Sequence, residues 1–372
     1  MNAPLKVAIV GCGKIADAHA GQIQRIGGCE IVGVCDREPL MARQLYERFP
    51  VARYFTEVGE LLSVSQPDVV HITTPPASHF EVARLCLEQS RHVYVEKPFT
   101  LDVLEAGKLI NLAESMGCKL TVGHNEQFSH VAREMRELIA NGYLGDKVTH
   151  MESHYCYDLS DPAYARALLG DKRHWVRRLP GKLLHNIISH GVARIAEFLT
   201  GDDFEITVQG FSSHVLRSIG EDDIVDELRV IISDKERTTA YFTFSTQMKP
   251  SIHEFRIYGS ANGLLLDQDH DILLRLRGRK YKSYADKFIP PVEFAFQHLK
   301  SATRNMRLFL NRDFHMDSGM KCLMEMFYQS IQRNLPVPIP YAEILRTSII
   351  MDAIFDQLAS GRSVNVASMS GV

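Results

Sequence analysis

The sequence predicts an α/β Rossmann fold, a doubly wound parallel sheet, followed by an α+β domain with a large, mostly antiparallel open sheet. From residue 5 to 125, strand-like and helix-like segments alternate, and the strands are continuous apolar runs typical of parallel strands buried on both faces. After residue 125, period-two alternation appears instead, as in the segment 239–245. We therefore expect one domain over 1–125 and a second over 126–372.

In the first half, each apolar run is followed by a segment with helical periodicity. The predicted strands are 5–10, 30–35, 52–55, 69–73, 92–96 and 119–123. The predicted helices are 14–26, 38–48, 57–64, 79–89 and 101–116. Right-handed crossovers between consecutive strands then give a parallel sheet with helices on both faces.

The second half begins with a helix and an extended segment, continues with strands and ends in helices. The predicted helices are 129–141, 182–199, 291–311, 316–333 and 341–360. The predicted strands are 147–157, 205–215, 226–233, 237–246, 252–258, 263–267 and 272–277. Alternation along these strands predicts a sheet with one face on helices and the other more exposed.

Composition excludes several classes of protein. The 372 residues are 45% hydrophobic and 23% charged with a formal net charge of −3, which gives no bulk argument for nucleic-acid or membrane binding. The seven cysteines are scattered and odd in number, which favours free thiols in a cytoplasmic protein. No signal peptide, transmembrane segment or metal-binding motif is predicted.

The first predicted strand runs into a glycine motif, Gly11-x-Gly13-x-x-Ala16, at the start of a helix. Gly11 permits the tight turn, and Gly13 lets the backbone approach a pyrophosphate. The free N–H groups at the helix start, beginning with Lys14 and Ile15, suit phosphate oxygens. The motif therefore predicts a dinucleotide site.

The second predicted strand ends in Asp36, 23 residues after Gly13. A carboxylate at this position accepts hydrogen bonds from the adenosine ribose and repels a 2′-phosphate, which favours NAD over NADP. Arg37 follows at once and is able to pair with a phosphate or stack on adenine, so NADP stays open. A solvated loop residue is the alternative interpretation of Arg37.

Two further strands end in polar residues at the edge where ligands bind in this architecture. One leads into Thr74-Pro75-Pro76-Ala77-Ser78-His79, and the next ends in Glu96-Lys97-Pro98. With Gly123 to Phe128, Gly142-x-x-Gly145 and Gly181 to His190, these pieces make the chain resemble the glucose-fructose oxidoreductase / inositol dehydrogenase / rhizopine-catabolism (Gfo/Idh/MocA) family. The resemblance covers essentially the whole chain.

The resemblance implies hydride transfer between a nicotinamide cofactor and a secondary alcohol or ketone carbon of a sugar, cyclitol or nucleotide sugar. It places Lys97 beside the nicotinamide, often before a cis proline, and makes His190 the general acid/base. An imidazole suits removal of the hydroxyl proton, and an ammonium stabilises negative charge developing on the oxygen. Thr74, Pro75, His79 and Glu96 are expected to border the cofactor. The family also implies a homodimer or homotetramer formed through the sheet of the second domain.

Three positions depart from the family pattern. Asn186 replaces an aspartate one helical turn before His190, so the amide orients the imidazole without favouring its protonated form. Ile188 replaces a glycine near the expected nicotinamide or substrate face, and Gln127 replaces an arginine. These changes indicate altered substrate geometry or impaired redox chemistry.

Four residues are candidates for substrate contact by position in the family: Asn125, Tyr155, Arg173 and Trp175. An aromatic plane beside cations suits a sugar or its anionic substituent. For Trp175 and Tyr155, burial between a helix and the sheet is an equally good interpretation.

Two other functions remain open. One is NAD-dependent glycoside cleavage, in which a transient ketone acidifies the neighbouring carbon and no net NADH forms. The other is a non-catalytic NAD-binding or assembly protein, suggested by the departures at 127, 186 and 188.

The segment 275–312 carries ten Lys or Arg against two acids, Asp286 and Glu293. Apolar residues within it follow a helical period, which leaves Lys300, Arg304 and Arg307 on other faces. Three interpretations fit: a rim that attracts an anionic substrate, weak attachment to anionic lipid, and a solvated helix face at a subunit contact.

Overall fold

The computed structural model describes residues 3–201, 203–235, 238–278, 281–282, 284–314 and 318–360, and the backbone of 364–366. The described chain forms two compact units. The first contains residues 3–128 together with 319–349, and the second contains the described residues of 129–318 and 350–366. The first unit thus has a second piece from the C-terminal part of the chain, which a single boundary at 125 does not describe.

The first unit is built on a six-stranded parallel sheet. Its strands are β1 Leu5–Val10, β2 Cys29–Cys35, β3 Tyr54–Phe55, β4 Val69–Ile72, β5 His92–Val95 and β6 Leu120–Val122. They lie in the order β3-β2-β1-β4-β5-β6, and every neighbouring pair is parallel. This is the doubly wound order of a Rossmann domain, whose ligand crevice opens between β1 and β4 at the carboxyl ends of the strands. The fold prediction for this unit is confirmed.

Five helices connect the strands: α1 Lys14–Ile23, α2 Pro39–Arg48, α3 Val58–Ser65, α4 His79–Glu88 and α5 Val103–Ser115. They occupy the predicted positions to within three residues at either end. The central strands are largely apolar because helices cover both faces of the sheet. Val7, Ile9 and Val70, for example, are fully buried.

The second unit contains helices and a larger sheet. Its helices are α6 His130–Ala140, α7 Pro162–Leu169, α8 Lys182–Ile187, α9 Ser189–Ala196, α10 His214–Ser218 and α11 Ala285–Leu310. Its strands are β7 Val148–Cys156, β8 Phe204–Phe211, β9 Glu227–Asp234, β10 Thr239–Ser245, β11 His253–Gly259, β12 Asn262–Asp267 and β13 Ile272–Arg277. The short helices α7 and α10 are not predicted by periodicity, since five to eight residues give too little signal.

The C-terminal part of the chain forms helices α12 Ser318–Gln332 and α13 Tyr341–Ser360 and a last strand, β14 Val364–Val366. Apolar residues of α12, including Met320, Leu323 and Phe327, are buried in the core of the first unit. Helical periodicity predicts α12 but not which sheet its apolar face covers. Because this apolar face packs in the core of the first unit, residues 319–349 belong to that unit.

The sheet of the second unit has eight strands in the order β13-β12-β11-β7-β10-β9-β8-β14. All neighbouring pairs are antiparallel except β7 and β10, which are parallel. On β10, Ala240, Phe242 and Phe244 are buried while Tyr241 is exposed. The prediction of a mostly antiparallel open sheet with one covered face is confirmed.

Two helices differ from their predicted extents. The helix expected over 182–199 is two consecutive helices, α8 and α9, which meet at Ile188. A Cβ on Gly191 would lie 2.5 Å from the ring of Phe242, so this glycine lets α9 pack directly on the sheet. Helix α11 begins at Ala285 rather than at 291, with Pro290 and Pro291 inside it.

Within the described residues, no helix combines the length and the apolar character that crossing a bilayer demands. All seven cysteines are free thiols, and five of them are buried.

Candidate active site

The glycine turn joins β1 and β4 at the carboxyl edge of the first sheet. Gly11 has φ +96°, and a Cβ there would lie 2.6 Å from the backbone nitrogen of Thr74. Only glycine allows this backbone conformation and this close approach at once. The Thr73 hydroxyl donates a hydrogen bond of 2.6 Å to the Gly11 carbonyl and fixes the turn on β4.

The start of α1 has the features of a dinucleotide cradle. Gly13 is the N-cap residue, no side chain caps the helix, and a Cβ on Gly13 would meet no atom within 4 Å. Lys14 and Ile15, the first residues of the helix, are exposed. The Thr74 hydroxyl is buried and makes no hydrogen bond to the described residues. Open space beside uncapped N–H groups fits a pyrophosphate.

Asp36 lies directly after β2 and faces the glycine turn. One carboxylate oxygen accepts the Cys12 N–H at 2.7 Å, and the other accepts the Glu38 N–H at 2.9 Å. Each oxygen retains a lone pair, which suits two ribose hydroxyls. Burial, reinforced by the Asp36 charge, raises the pKa of the Cys12 thiol to about 12, so this cysteine stays protonated. Arg37 and Pro75 are exposed.

His79 lies behind the loops rather than at their surface. It is fully buried, and its ring nitrogens lie 2.9 Å from the Pro98 carbonyl and 2.8 Å from the Thr74 carbonyl. Burial lowers the pKa of this imidazole. Its two ring nitrogens face backbone oxygens that follow β4 and β5, so His79 lies between the loop after β4 and the loop after β5. The expectation that His79 borders the cofactor stays a prediction.

Glu96 and Lys97 follow β5 at the same edge of the sheet as the glycine turn. Glu96 is buried, and its carboxylate accepts the backbone N–H of Lys97 at 3.1 Å. Burial lowers the pKa of the Lys97 ammonium, and the charges of Glu96 and Glu126 oppose this shift. The Lys97–Pro98 peptide is cis, as the family resemblance implies.

A buried chain of polar side chains extends from Glu96 into the first unit. Glu96 Oε1 lies 2.9 Å from His19 Nε2, His19 Nδ1 lies 2.8 Å from His71 Nδ1, and His71 Nε2 lies 2.7 Å from the Tyr328 hydroxyl. With Glu96 ionised and both rings neutral, one hydrogen pattern satisfies the chain. Tyr328 donates to His71, His71 donates to His19, and His19 donates to Glu96.

This chain of side chains is not among the features predicted from the sequence. His71 interrupts the apolar strand β4, and His19 is a buried polar residue on α1. A histidine inside an apolar strand is the signal that was available, since buried polar groups need partners. Gly123 belongs to the same arrangement, because a Cβ there would lie 2.6 Å from Glu96 Oε1.

In the second unit, His190 lies on α9 and is 8% exposed. Its ring centroid lies 6.0 Å from that of Tyr155, and the Arg194 guanidinium lies 6.0 Å from the Tyr155 ring. Tyr155, at the end of β7, also makes an edge contact with His253. Tyr155, predicted to contact the substrate, thus lies beside His190, the predicted general acid/base.

The three departures from the family pattern lie in different surroundings. Asn186 is half-buried on α8, and Ile188 is fully buried at the junction with α9. Gln127, in the first unit, donates a hydrogen bond of 2.7 Å to the buried Glu343 carboxylate. A neutral amide thus occupies the place beside Glu343.

The remaining predicted substrate residues are more exposed. Trp175 begins a short 3-10 helix and is half-buried beside His174, and Arg173 is exposed. Asn125 is half-buried at the start of another 3-10 helix, after β6. Among the residues that the structure describes, no group of three or more His, Cys, Asp or Glu is arranged to hold a metal ion.

Comparison with known families matches most of the chain. A family model described as "Oxidoreductase family, NAD-binding Rossmann fold" (GFO_IDH_MocA) matches residues 5–124, and the GFO/IDH/MocA C-terminal domain matches residues 132–264.

Individual relatives either share low sequence identity with the chain or align with less than half of it. The chain is 32% identical over 146 residues to D-glucoside 3-dehydrogenase of Escherichia coli, an alignment that covers 39% of this chain and 42% of the relative. It is 20% identical over 309 residues to myo-inositol 2-dehydrogenase of Thermotoga maritima, covering 80% and 89%. The match with the first relative, and with two uncharacterized oxidoreductases, thus spans only 42–44% of their length.

Among solved structures, the fold resembles the WlbA dehydrogenase of Bordetella pertussis, solved in complex with NADH and UDP-GlcNAcA. The TM-score is 0.76 at 16% identity, with 99% of each chain covered. At this identity the likeness concerns the fold alone.

Proposed function

Because the chain belongs to the GFO/IDH/MocA oxidoreductase family, whose N-terminal domain is an NAD-binding Rossmann fold, we propose that it is an NAD-dependent dehydrogenase or reductase. Its substrate is a secondary alcohol or ketone on a sugar, cyclitol or nucleotide sugar. The observation that carries the proposal is the carboxyl edge of the first sheet. There the open glycine turn, Asp36 and a half-buried Lys97 follow parallel strands of one sheet.

Each part of that edge has a task. The N–H groups of Lys14 and Ile15 would hold the pyrophosphate, the Thr74 hydroxyl would donate to the cofactor, and Asp36 would hold the adenosine ribose. Bound NAD would supply the hydride acceptor or donor. Asp36 favours NAD over NADP, because a 2′-phosphate would meet its carboxylate.

Lys97 and His190 form the catalytic pair in this proposal. His190 removes the hydroxyl proton as the carbinol is oxidised, and Lys97 donates a hydrogen bond to the reacting oxygen. Burial supports the role of Lys97, since it strengthens interaction with charge developing on oxygen and brings the pKa of the ammonium closer to neutrality. Asn186 orients His190, and Tyr155, Arg173, Trp175 and Asn125 contact the sugar.

The proposal is tested by following NADH formation with D-glucosides, cyclitols and nucleotide sugars. We expect Lys97→Met to lower kcat by about 10²- to 10³-fold with an NAD dissociation constant within about threefold of wild type. Lys108→Met, at an exposed position on α5, is the matched control and leaves both unchanged. Equal turnover in Lys97→Met and wild type contradicts the assignment of Lys97.

The same assay separates the two alternatives. Cleaved glycoside without net NADH would indicate glycoside cleavage. For a non-catalytic NAD-binding protein, Lys97→Ala would leave cellular function intact while Asp36→Ala, which removes the ribose contact, would abolish it. A homodimer or homotetramer through the sheet of the second unit remains part of the proposal and is tested by light scattering.

A further inference from the structure

Helix α11 is attached to its unit through polar side chains. Gln297 pairs with the backbone of the edge strand β13: its side-chain oxygen accepts the Arg275 N–H at 2.7 Å, and its amide donates to the Arg275 carbonyl at 3.4 Å. Glu293 accepts from Arg277 at 2.9 Å, and Arg304 donates to Glu134 at 2.8 Å. Polar and charged side chains therefore make these contacts of the inner face.

The apolar face of α11 points away from the unit. Six large side chains form what we call the outer stripe, and each is between 54% and 72% exposed: Phe288, Val292, Phe296, Leu299, Met306 and Leu310. At 100° per residue they fall within a sector of about 80°, and at 1.5 Å per residue the stripe is about 33 Å long. An amphipathic helix normally buries this face, so the outward orientation indicates that something else covers it.

The exposed charges that border the outer stripe are cationic. Lys300 and Arg307 lie along one side of it, and both are exposed. The acids of the helix are placed differently: Glu293 is turned toward Arg277, and Asp286 lies in the first turn, where it accepts the Tyr281 N–H.

Beneath the Lys300 side of the stripe lies a groove of about 590 Å³ between α6 and α11. It is lined by four cations, Arg275, Lys300, Arg304 and Arg307, against Glu134 and Glu137. Glu134 is already paired with Arg304 at 2.8 Å. The groove therefore has room and positive charge for an anionic headgroup.

We propose that the outer stripe of α11 docks on the surface of a bilayer that contains anionic lipid. The helix lies in the plane of the interface with its aromatic and aliphatic side chains among the acyl chains and its cations at the headgroup phosphates. A second copy of the chain is the less favourable occupant, because two such faces bring the same cationic borders together. Charge complementarity thus selects the lipid surface.

The test is co-sedimentation of the full chain with vesicles. Phosphatidylcholine vesicles with phosphatidylglycerol as about a third of the lipid are compared with pure phosphatidylcholine. We expect the protein to sediment with the anionic vesicles, to bind the neutral ones at least about tenfold more weakly, and to be released as the salt concentration rises. Failure to bind anionic vesicles at low salt overturns the proposal.

Two double variants and one control locate the surface. Phe296→Asp/Leu299→Asp removes the centre of the stripe and abolishes binding, and Lys300→Glu/Arg307→Glu weakens it at least about tenfold. Arg25→Glu/Lys108→Glu changes the net charge equally at exposed sites on the first unit and leaves binding unchanged. Because every substituted side chain of the stripe is exposed, thermal unfolding of the variants should match wild type. An equal loss of binding in the control overturns the proposal.

Light scattering distinguishes the competing occupant. If the wild type forms a larger particle that Phe296→Asp/Leu299→Asp reduces in size, and that particle does not bind vesicles, a second copy covers the stripe and the proposal is wrong.

Discussion

At Lys97, burial and neighbouring charges shift the pKa of the ammonium in opposite directions. Burial lowers the pKa of the ammonium, while Glu96 and Glu126 favour the charged form. The Glu96 carboxylate contacts His19 and also accepts a hydrogen bond from the backbone N–H of Lys97. His19 thus orients Glu96, and Glu96 in turn fixes the backbone of Lys97. Such support is what the proposed role of Lys97 requires, because a reacting group must be held in place by its neighbours.

Gly11 is the residue where backbone geometry is most demanding. We expect Gly11→Ala to lower the free energy of unfolding by about 3 kcal/mol or more, because the new Cβ meets the Thr74 backbone at 2.6 Å in a positive-φ conformation. Gly28→Ala is the matched control, with φ +78° and open space, and should cost about 1 kcal/mol. Urea denaturation measures both, and equal losses would show that the contact with Thr74 is unimportant.

At the scale of elements, α12 completes the core of the first unit. Phe327 is fully buried there, whereas Met326 on the same helix is 42% exposed. We expect Phe327→Ala to lower the free energy of unfolding by about 3–5 kcal/mol and Met326→Ala by less than about 1 kcal/mol. A small effect of Phe327→Ala in urea denaturation would contradict the packing of α12 on the Rossmann core.

The buried chain on β4 makes the stability of the first unit depend on pH. Burial and the neighbouring His19 hold the pKa of His71 well below its usual 6.5, and burial lowers the pKa of His79. Below pH 6.5 the unfolded chain therefore binds more protons than the folded one, and the free energy of unfolding falls by up to about 1.4 kcal/mol per pH unit for each histidine. The full contribution is present above about pH 7.5.

Urea denaturation at pH 7.5 and pH 5.5 measures this dependence. The groups that face His71 are His19 on α1, Tyr94 on β5 and Tyr328 on α12. His71→Phe should reduce the difference in stability between the two pH values, whereas removal of the exposed imidazole in His214→Phe should not. An unchanged pH dependence in His71→Phe would mean that His71 is charged in the folded state.

Sequence patterns predicted most elements because period-two and helical spacings follow directly from strand and helix geometry. They did not predict where an apolar face is buried. The stripe of α12 and that of α11 are similar in periodicity, yet Leu323 is buried and Phe296 is exposed. Tertiary contacts between distant segments decide this, and the same limit hid the contact of Tyr328 with His71.

At the scale of the whole molecule, only part of the candidate site could be predicted from the sequence. Asp36 and the glycine turn follow from a short motif whose spacing is set by the βαβ unit. His79 also falls within a motif, but the structure shows it holding two loops together. Motif position predicts the region of the site, whereas the contacts of an individual side chain such as His79 depend on how the loops pack.

The proposed reaction depends on two residues from different units acting on one carbon. The most direct test is a crystal structure with bound NAD, in which the distance between Lys97 Nζ and the nearer ring nitrogen of His190 is measured. We predict a separation of about 6 Å or less, since each must lie within hydrogen-bond reach of one shared oxygen beside the nicotinamide. A separation above about 10 Å with NAD in place would contradict the proposed pair.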